Sequence, residues 1–308
     1  MTAPTGPGPR LGHGFAHDAH SGITMLFGGF DENGAPLGDT WGWDGTSWRL
    51  LATDGPPARK WPAMAYDEVR DEVILFGGLS GIGRTRPPFG DTWRWTGSAW
   101  CEAKAAGPGP RDHVRTAWDR RTDRLILFGG FDGGAATGDT WAWDGERWEQ
   151  VAADGPPPRA AHGMVCDPND GSILLFGGRS LERFFGDTWR WNGNTWTRVS
   201  DEGPSPRAFH GMAPSVSDQA VLLFGGWEGT PAQRAYFNDT WAWSGVCWER
   251  VECESPPAGG VYAMTHDATG RGVLFHGGGR KAEGTTWCLE DRTWLHRDGR
   301  WAVLDSAV

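Results

Sequence analysis

Six times along the chain a short unbroken apolar run is closed by a pair of glycines. The runs are Ile23 to Phe27, Val73 to Phe76, Leu125 to Phe128, Ile173 to Phe176, Val221 to Phe224 and Val273 to Phe275. Their glycine pairs are 28/29, 77/78, 129/130, 177/178, 225/226 and 277/278. A run this short, with no polar alternation, reads as a strand covered on both faces. Ahead of each run a segment alternates small and large residues, as in Ala63-Met64-Ala65-Tyr66 and Gly163-Met164-Val165-Cys166. Small residues on one side suit a strand at the crowded axis of a radial array. After each glycine pair comes a polar loop of variable length, then Trp-x-Trp in five copies, then a Trp seven residues beyond the first, as in Trp141 to Trp148. Asp144-Gly145 and Asn192-Gly193 between them are tight-hairpin signals. Each repeat therefore predicts four strands.

The glycine pairs recur every 48 to 52 residues, and a period of about 50 residues is that of a blade-forming repeat. Asp18, Asp67, Asp119, Asp167, Ser215 and Asp267 stand ten positions before the pairs, so the first two strands keep one register and all length variation follows Gly-Gly. That is the signature of a rigid scaffold with variable loops. The array fills 1–308 as one unit, with blades at about 10–54, 59–105, 111–154, 159–202, 207–254 and 258–304.

These residues resemble the kelch repeat: Gly-Gly, an aromatic, a Trp some seven residues on, and Pro-x-Arg (Pro57-Ala58-Arg59) leading into the next copy. The resemblance covers about Arg10 to Leu304. It implies an all-β, six-bladed propeller with four antiparallel strands per blade, of the galactose-oxidase-like central architecture without that enzyme's extra domains. The sixth copy departs from the others. Its third strand starts at Thr286-Trp287 or Thr293-Trp294, and the second is preferred because Asp298-Gly299 and Trp301 then match Asp144-Gly145 and Trp148. Blade 1 begins with its innermost strand and blade 6 ends with its outermost, so closure is expected from blade-to-blade packing rather than a borrowed strand.

Recurring charges look structural. Arg10, Arg59, Arg111, Arg159 and Arg207 open the inner strands of five blades, and Asp39, Asp91, Asp139, Asp187 and Asp239 open their third strands. Both lie at one end of a blade, where an Arg fork can clasp a carboxylate. Blade 6 lacks both members, which points to pairing within a blade.

Departures from the repeat carry the candidate chemistry. Three residues after the arginine position stand His13, His162, His210 and Tyr262, in the contiguous blades 1, 4, 5 and 6. Imidazoles meeting there could act as acid and base or hold a divalent metal. His276 replaces the Phe of the other five blades, and Arg115 replaces Gly or Ala on an inner strand, a ready anion clamp. The expected catalytic set is His162, His210, Tyr262 and His276. Trp61, His113, Arg115, Trp227 and Arg280 are expected to bind substrate, and His13, His162 and His210 are the candidate metal ligands. The loops after Gly-Gly add Phe30, Arg84, Arg86, Arg280, Lys281 and Glu283, so the site is expected at the channel mouth on that face.

Composition narrows the field. A net charge of −10 with scattered basic residues excludes a nucleic-acid groove. Five cysteines without a CxxC pair argue against a disulfide framework or structural zinc. The first residues lack the apolar core of a signal peptide, and no stretch reaches the ~18 apolar residues that span a bilayer, so a cytoplasmic protein is expected. No cofactor motif is evident, and neither a Gly-x-Ser-x-Gly elbow nor a phosphate loop occurs. Copper-radical chemistry of the kelch type needs tyrosines beside histidines and a cross-linking Cys; only Tyr262 qualifies. The expectation is a small-molecule-handling propeller running a non-redox reaction of isomerase, cyclase or lyase type, with sugar-acid mutarotation as the family precedent. The alternative is a protein-interaction module using the same loop face, with Trp227, Phe30 or Trp61 as anchors.

Overall fold

A computed structural model describes residues 6–81, 87–230, 233–267, 272–281 and 287–304. Arg84, Arg86, Glu283 and Thr286 lie outside them. Six four-stranded antiparallel sheets are arranged as propeller blades, each made of strands from its own repeat in chain order. Blade 1 comprises Gly14–Asp18, Ile23–Phe27, Thr40–Trp43 and Trp48–Ala52. Its register runs Gly14 to Phe27 to Thr40. In blade 6 the third strand is Thr293–Arg297, with Thr293 opposite His276, while Trp287–Leu289 joins Gly279–Lys281 in a separate hairpin. Blade 5 carries a similar added hairpin, Trp227–Gly229 with Arg234–Tyr236. Among the described residues no strand is exchanged across the ring.

The conserved-looking positions of the repeat divide into those that build a blade and those that join blades. Within a blade, the turn aspartates accept backbone N–H groups two and three residues on, as Asp67 does from Val69 and Arg70. The five Arg–Asp pairs form inside their own blades, at 2.6 to 2.7 Å. Each Arg also donates to the carbonyl of its blade's first paired glycine, as Arg59 does to Gly77 at 3.0 Å. Each Asp additionally accepts the indole N–H of the Trp two residues on, as Asp187 does from Trp189 at 2.8 Å. Burial works to raise these carboxyls, but the Arg and Trp donors outweigh it and hold all five below the usual Asp range.

Between blades the links are equally regular. The second glycine of each pair donates its N–H to the carbonyl opening the next blade: Gly29 to Arg59, Gly78 to Arg111, Gly130 to Arg159, Gly178 to Arg207, Gly226 to Gly259 and Gly278 to Arg10. The first glycine explains why no side chain is tolerated there. Gly28 has φ +67°, and a Cβ on it would sit 2.6 Å from the Arg59 carbonyl oxygen. Farther out, the Trp that opens each fourth strand donates to the Thr that opens the third strand of the preceding blade. Trp100 reaches Thr40, Trp148 Thr92, Trp196 Thr140, Trp248 Thr188, Trp301 Thr240, and Trp48 closes the circle onto Thr293, all at 2.8 to 3.0 Å. The hydrophobic core is likewise a set of inter-blade layers. One of them packs Phe15, Leu26, Trp43 and Trp48 of blade 1 against Leu274 of blade 6.

The circle of Trp–Thr bonds makes a direct prediction. Thr92 is buried, so Thr92→Val leaves the Trp148 indole N–H without its acceptor at almost unchanged volume. A buried donor so stranded costs about 1–3 kcal/mol. Urea denaturation should show a lower midpoint at unchanged slope; an unshifted midpoint would mean that the bond contributes nothing to stability.

Candidate functional site

The face that carries the Gly-Gly loops is closed at the axis. Two residues after each inner-strand Arg position, the backbone turns left-handed: Gly12, Trp61, His113, Ala161, Phe209 and Val261 have φ between 53° and 64°. Five N–H···O=C bonds link them in succession around the axis, from Trp61 to Gly12 at 2.6 Å through to Val261 to Phe209 at 2.7 Å. Such φ values are unfavourable for residues with a Cβ, most of all for a β-branched Val. Above this collar the aromatic rings pack together. Trp61 stacks on His113 with centroids 4.0 Å apart, Phe209 on Trp227 at 5.2 Å, and Phe30 meets Trp61 edge to face at 5.4 Å. His113 is tied to Asp112 by a short hydrogen bond.

This corrects the expected position of the site. Trp61, His113 and Trp227 belong to the closure of that face and line no cavity at the axis. Arg280 lies off the axis, beside a small groove of about 160 Å³ with Tyr262, Glu290 and Trp294. Phe30 and Trp227, expected as exposed anchors, are buried at 3% and 4% exposure.

A cavity of about 490 Å³ lies along the axis beneath the collar. It reaches the opposite face, where the exposed His20, Glu68, Asp71 and Arg120 of the first hairpins form its rim. The inner strands line it in levels, because each contributes one residue per ~3.3 Å of depth. The deepest lining residues are His13, Pro62, His210 and Tyr262, and the level above them holds Gly14, Ala63, Arg115, Gly163 and Ala263. The next holds Phe15, Met64, Thr116, Met164, Met212 and Met264, and the level nearest the rim holds His17, Tyr66, Trp118, Cys166, Pro214 and His266.

Small and large residues are matched between neighbours. A Cβ on Gly14 would come within 2.9 Å of the Met64 sulfur, and on Gly163 or Gly211 it would overlap Met212 or Met264. The alternation seen in sequence is thus one blade making room for the next blade's thioether. Blade 3 breaks that rule. Arg115 stands at the small position, and its Nε–H donates to the His162 carbonyl at 3.2 Å. Among the described residues it makes no ion pair, and burial alone pulls its pKa down to about 10. It remains cationic, an uncompensated charge at the blind end of the cavity.

The recurring histidines turn toward the seams between blades. Each lies between its own blade and the preceding one: His162 meets Phe128 edge to face at 5.5 Å, His210 meets Phe176 at 5.5 Å, and Tyr262 packs on Phe224 at 5.1 Å. A Cβ on Gly129 or Gly177 would touch the His162 or His210 ring. His13 and His210 touch the cavity wall; His162 does not. The ring nitrogens of all three are buried, and among the described residues those of His13 and His162 have no hydrogen-bond partner. Desolvation first, then nearby arginines and histidines, drives their pKa values well below 6.5, so they are neutral. Among the described residues no three His, Cys, Asp or Glu side chains are grouped to hold a metal ion. Tyr262 donates its hydroxyl to the Pro257 carbonyl at 3.1 Å.

His276 lies at the seam between blades 6 and 1. Its Nδ1 is 3.1 Å from the same Thr293 hydroxyl that accepts from Trp48, and its Nε2 is 3.5 Å from the Gly8 carbonyl. Its ring faces His13 at 6.4 Å and Trp48 at 5.2 Å. It is therefore a residue of the seam between these two blades. Two further histidine contacts lie nearby. His296 occupies the second Trp position of blade 6, against Trp301, and His266 meets His17 across the same seam with centroids 4.6 Å apart. Aligning the fourth residue of each inner strand would have exposed the latter pair. His17 also reaches the Thr24 hydroxyl at 3.2 Å.

A closed six-bladed ring with one axial cavity is a β-propeller built from kelch-type repeats, and sequence comparison agrees. The family model for the KLHDC2/KLHL20/DRC7 Kelch-repeats domain matches residues 144–302, and the chain belongs to the kelch-repeat family. Among solved structures, one titled "Structure of YjhT" superposes with a TM-score of 0.71 over 97% of this chain and 99% of that one, at 14% identity. That similarity concerns the fold. No curated protein matches the chain. No helix among the described residues is long and apolar enough to cross a membrane.

The seam makes a pH prediction. Desolvation lowers His276 to about 4, against about 6.5 for an unfolded histidine. Above pH 6.5 both states are neutral. Between 6.5 and 4 the unfolded chain binds a proton that the folded chain refuses, so stability falls as pH drops and the loss is complete below about 4. His276→Phe, which restores the residue of the other blades, should lessen the acid loss by roughly 3 kcal/mol between pH 7 and 4. Denaturation midpoints of both proteins at the two pH values provide the check.

Proposed function

We propose that the protein handles a small anionic molecule in its axial cavity, admitted from the hairpin face and held at the blind end by Arg115. The carrying observation is a guanidinium that makes no ion pair among the described residues and lines an axial cavity of about 490 Å³. That volume falls in the range of about 300–1,000 Å³ typical of ligand sites. A cation left uncompensated there is costly unless an anion completes it. Other charges around the cavity are already engaged: Arg120 forks onto Glu68, and Asp71 accepts the Tyr66 hydroxyl at 2.7 Å.

For chemistry we favour a non-redox reaction of isomerase or lyase type. His17 and His266 supply imidazoles kept neutral at pH 7 by desolvation, His266 with a pKa near 4. A neutral imidazole can accept a proton from a bound substrate. The rival reading, a protein-docking face on the Gly-Gly loops, is weakened by the burial of Phe30 and Trp227 in the closure of that face.

Arg115→Met should abolish thermal stabilisation by small carboxylates while leaving the unliganded melting temperature within a few degrees of the parent. Arg115→Lys should retain part of it. Ligand stabilisation that persists in Arg115→Met would remove the cavity's anion site as the basis of function.

A further inference from the structure

Of the six seams in the ring, the one between blades 6 and 1 is built differently from the rest. At the other five, the Phe closing a second strand meets the Trp opening the next blade's fourth strand, with centroids 5.2 to 5.6 Å apart. Here the Phe is replaced by His276, against Trp48. The bond from the second glycine to the next blade's carbonyl, Gly278 to Arg10, is 3.3 Å, whereas its five counterparts are 2.8 to 3.0 Å. The five collar bonds cross the other five seams, and among the described residues none joins Gly12 to Val261. Gly259 stands in blade 6 where the other blades have the Arg of the fork.

Four of the chain's nine histidines meet across this seam in two pairs. Nearer the collar His13 of blade 1 faces His276 of blade 6 at 6.4 Å, and nearer the rim His17 of blade 1 meets His266 of blade 6 at 4.6 Å. Burial lowers all four below the usual histidine value, His266 and His276 to about 4. The charges facing them do little to welcome a proton. His13 faces His276, Arg10 and Arg115, and His266 faces His17, Arg120 and Asp267. His17 faces Asp18 and Asp267, while His276 faces Arg10 and Glu290. Those carboxylates are already engaged: Asp18 accepts from the Ser21 hydroxyl at 2.7 Å, Asp267 from Arg297 at 2.8 Å and Glu290 from Arg292 at 2.6 Å. Protonating both members of a pair sets two cations side by side.

We propose that this seam is an acid-operated latch, which opens below neutral pH while the other five hold. Opening returns the four rings to water, where a histidine takes its proton near pH 6.5. The closed seam is at full strength above that pH and weakens as pH falls from 6.5 toward 4. Each ring freed shifts the balance toward the open seam about tenfold between pH 7.5 and 5.5, so two rings shift it about a hundredfold. At the position of His13, the blades behind the seams 1–2 and 2–3 have Pro62 and Val114, and His162 and His210 bring one ring each to the seams 3–4 and 4–5. Gly14–Asp18 and Ala263–His266 both line the axial cavity, so a parted seam removes one side of its wall and frees an occupant. At neutral pH the wall is whole. The latch stands on the seam's own geometry and is independent of what the cavity holds.

The six indoles that bridge the seams to threonine hydroxyls are built-in reporters, one for each seam. Their N–H exchange with deuterium, followed by NMR on the full chain with isotope-labelled tryptophan, tests the latch. Each rate is divided by that of free tryptophan at the same pH. From pH 7.5 to 5.5 the protection of Trp48 should fall about a hundredfold or more, while Trp100 and Trp148 change less than about threefold. His276→Phe, which gives this seam the residue of the others, should shrink the Trp48 loss about tenfold. A uniform loss at all six indoles would mean that acid unfolds the ring as a whole, and it would overturn the latch. An unchanged Trp48, or a Trp48 loss undiminished in His276→Phe, would overturn it as well. The comparison among indoles of the unaltered chain needs no variant, so it decides the matter even where a substitution impairs folding.

Discussion

Everything in this ring depends on how closely one blade can approach the next near the axis. The second glycine of each pair must present its N–H to the opening carbonyl of the following blade, and the first must have no Cβ in the way. With that contact made six times, the Arg–Asp forks are held against the glycine carbonyls within each blade. The tryptophans then fall within reach of the neighbouring threonines. Glycine supplies the approach, and the indole bonds fix the spacing farther out. The last bond runs from blade 1 to blade 6, so among the described residues the ring closes through side-chain contacts between blades.

That architecture was legible in the chain because its residues repeat. A motif present in five or six copies reveals its register, and the absence of both Arg and Asp from blade 6 identified the pairs as internal to a blade. The partners across blades were harder to read. Nothing in Asp-Thr-Trp says that the Thr serves the next blade's Trp, since that contact spans 56 residues or more and belongs to the radial geometry. The alternation along the inner strand was visible, but its cause, a sulfur seated over the neighbour's glycine, was not.

The axial cavity was legible in one anomaly of the repeat. Arg115 stood out as a bulky cation where small residues recur, and it does enter the axial space. The histidines misled because recurrence at one end of each blade suggested convergence on the axis. A side chain at that position turns sideways instead, onto the Phe of the preceding blade, and the collar residues just before it close the mouth. Left-handed backbone at Trp61, His113, Phe209 and Val261 has no marker in residue type, since glycine occupies only Gly12. The chain therefore hides which face is open.

The collar gives the propeller the topology of a cup rather than a pipe. A molecule inside it has a single door, so arrival and departure use the same path in opposite order. Whatever end reaches the bottom enters first and leaves last, and no second species can push from behind. Turnover in such a vessel proceeds by strict alternation: the old occupant must back out through the rim before its successor can begin to descend.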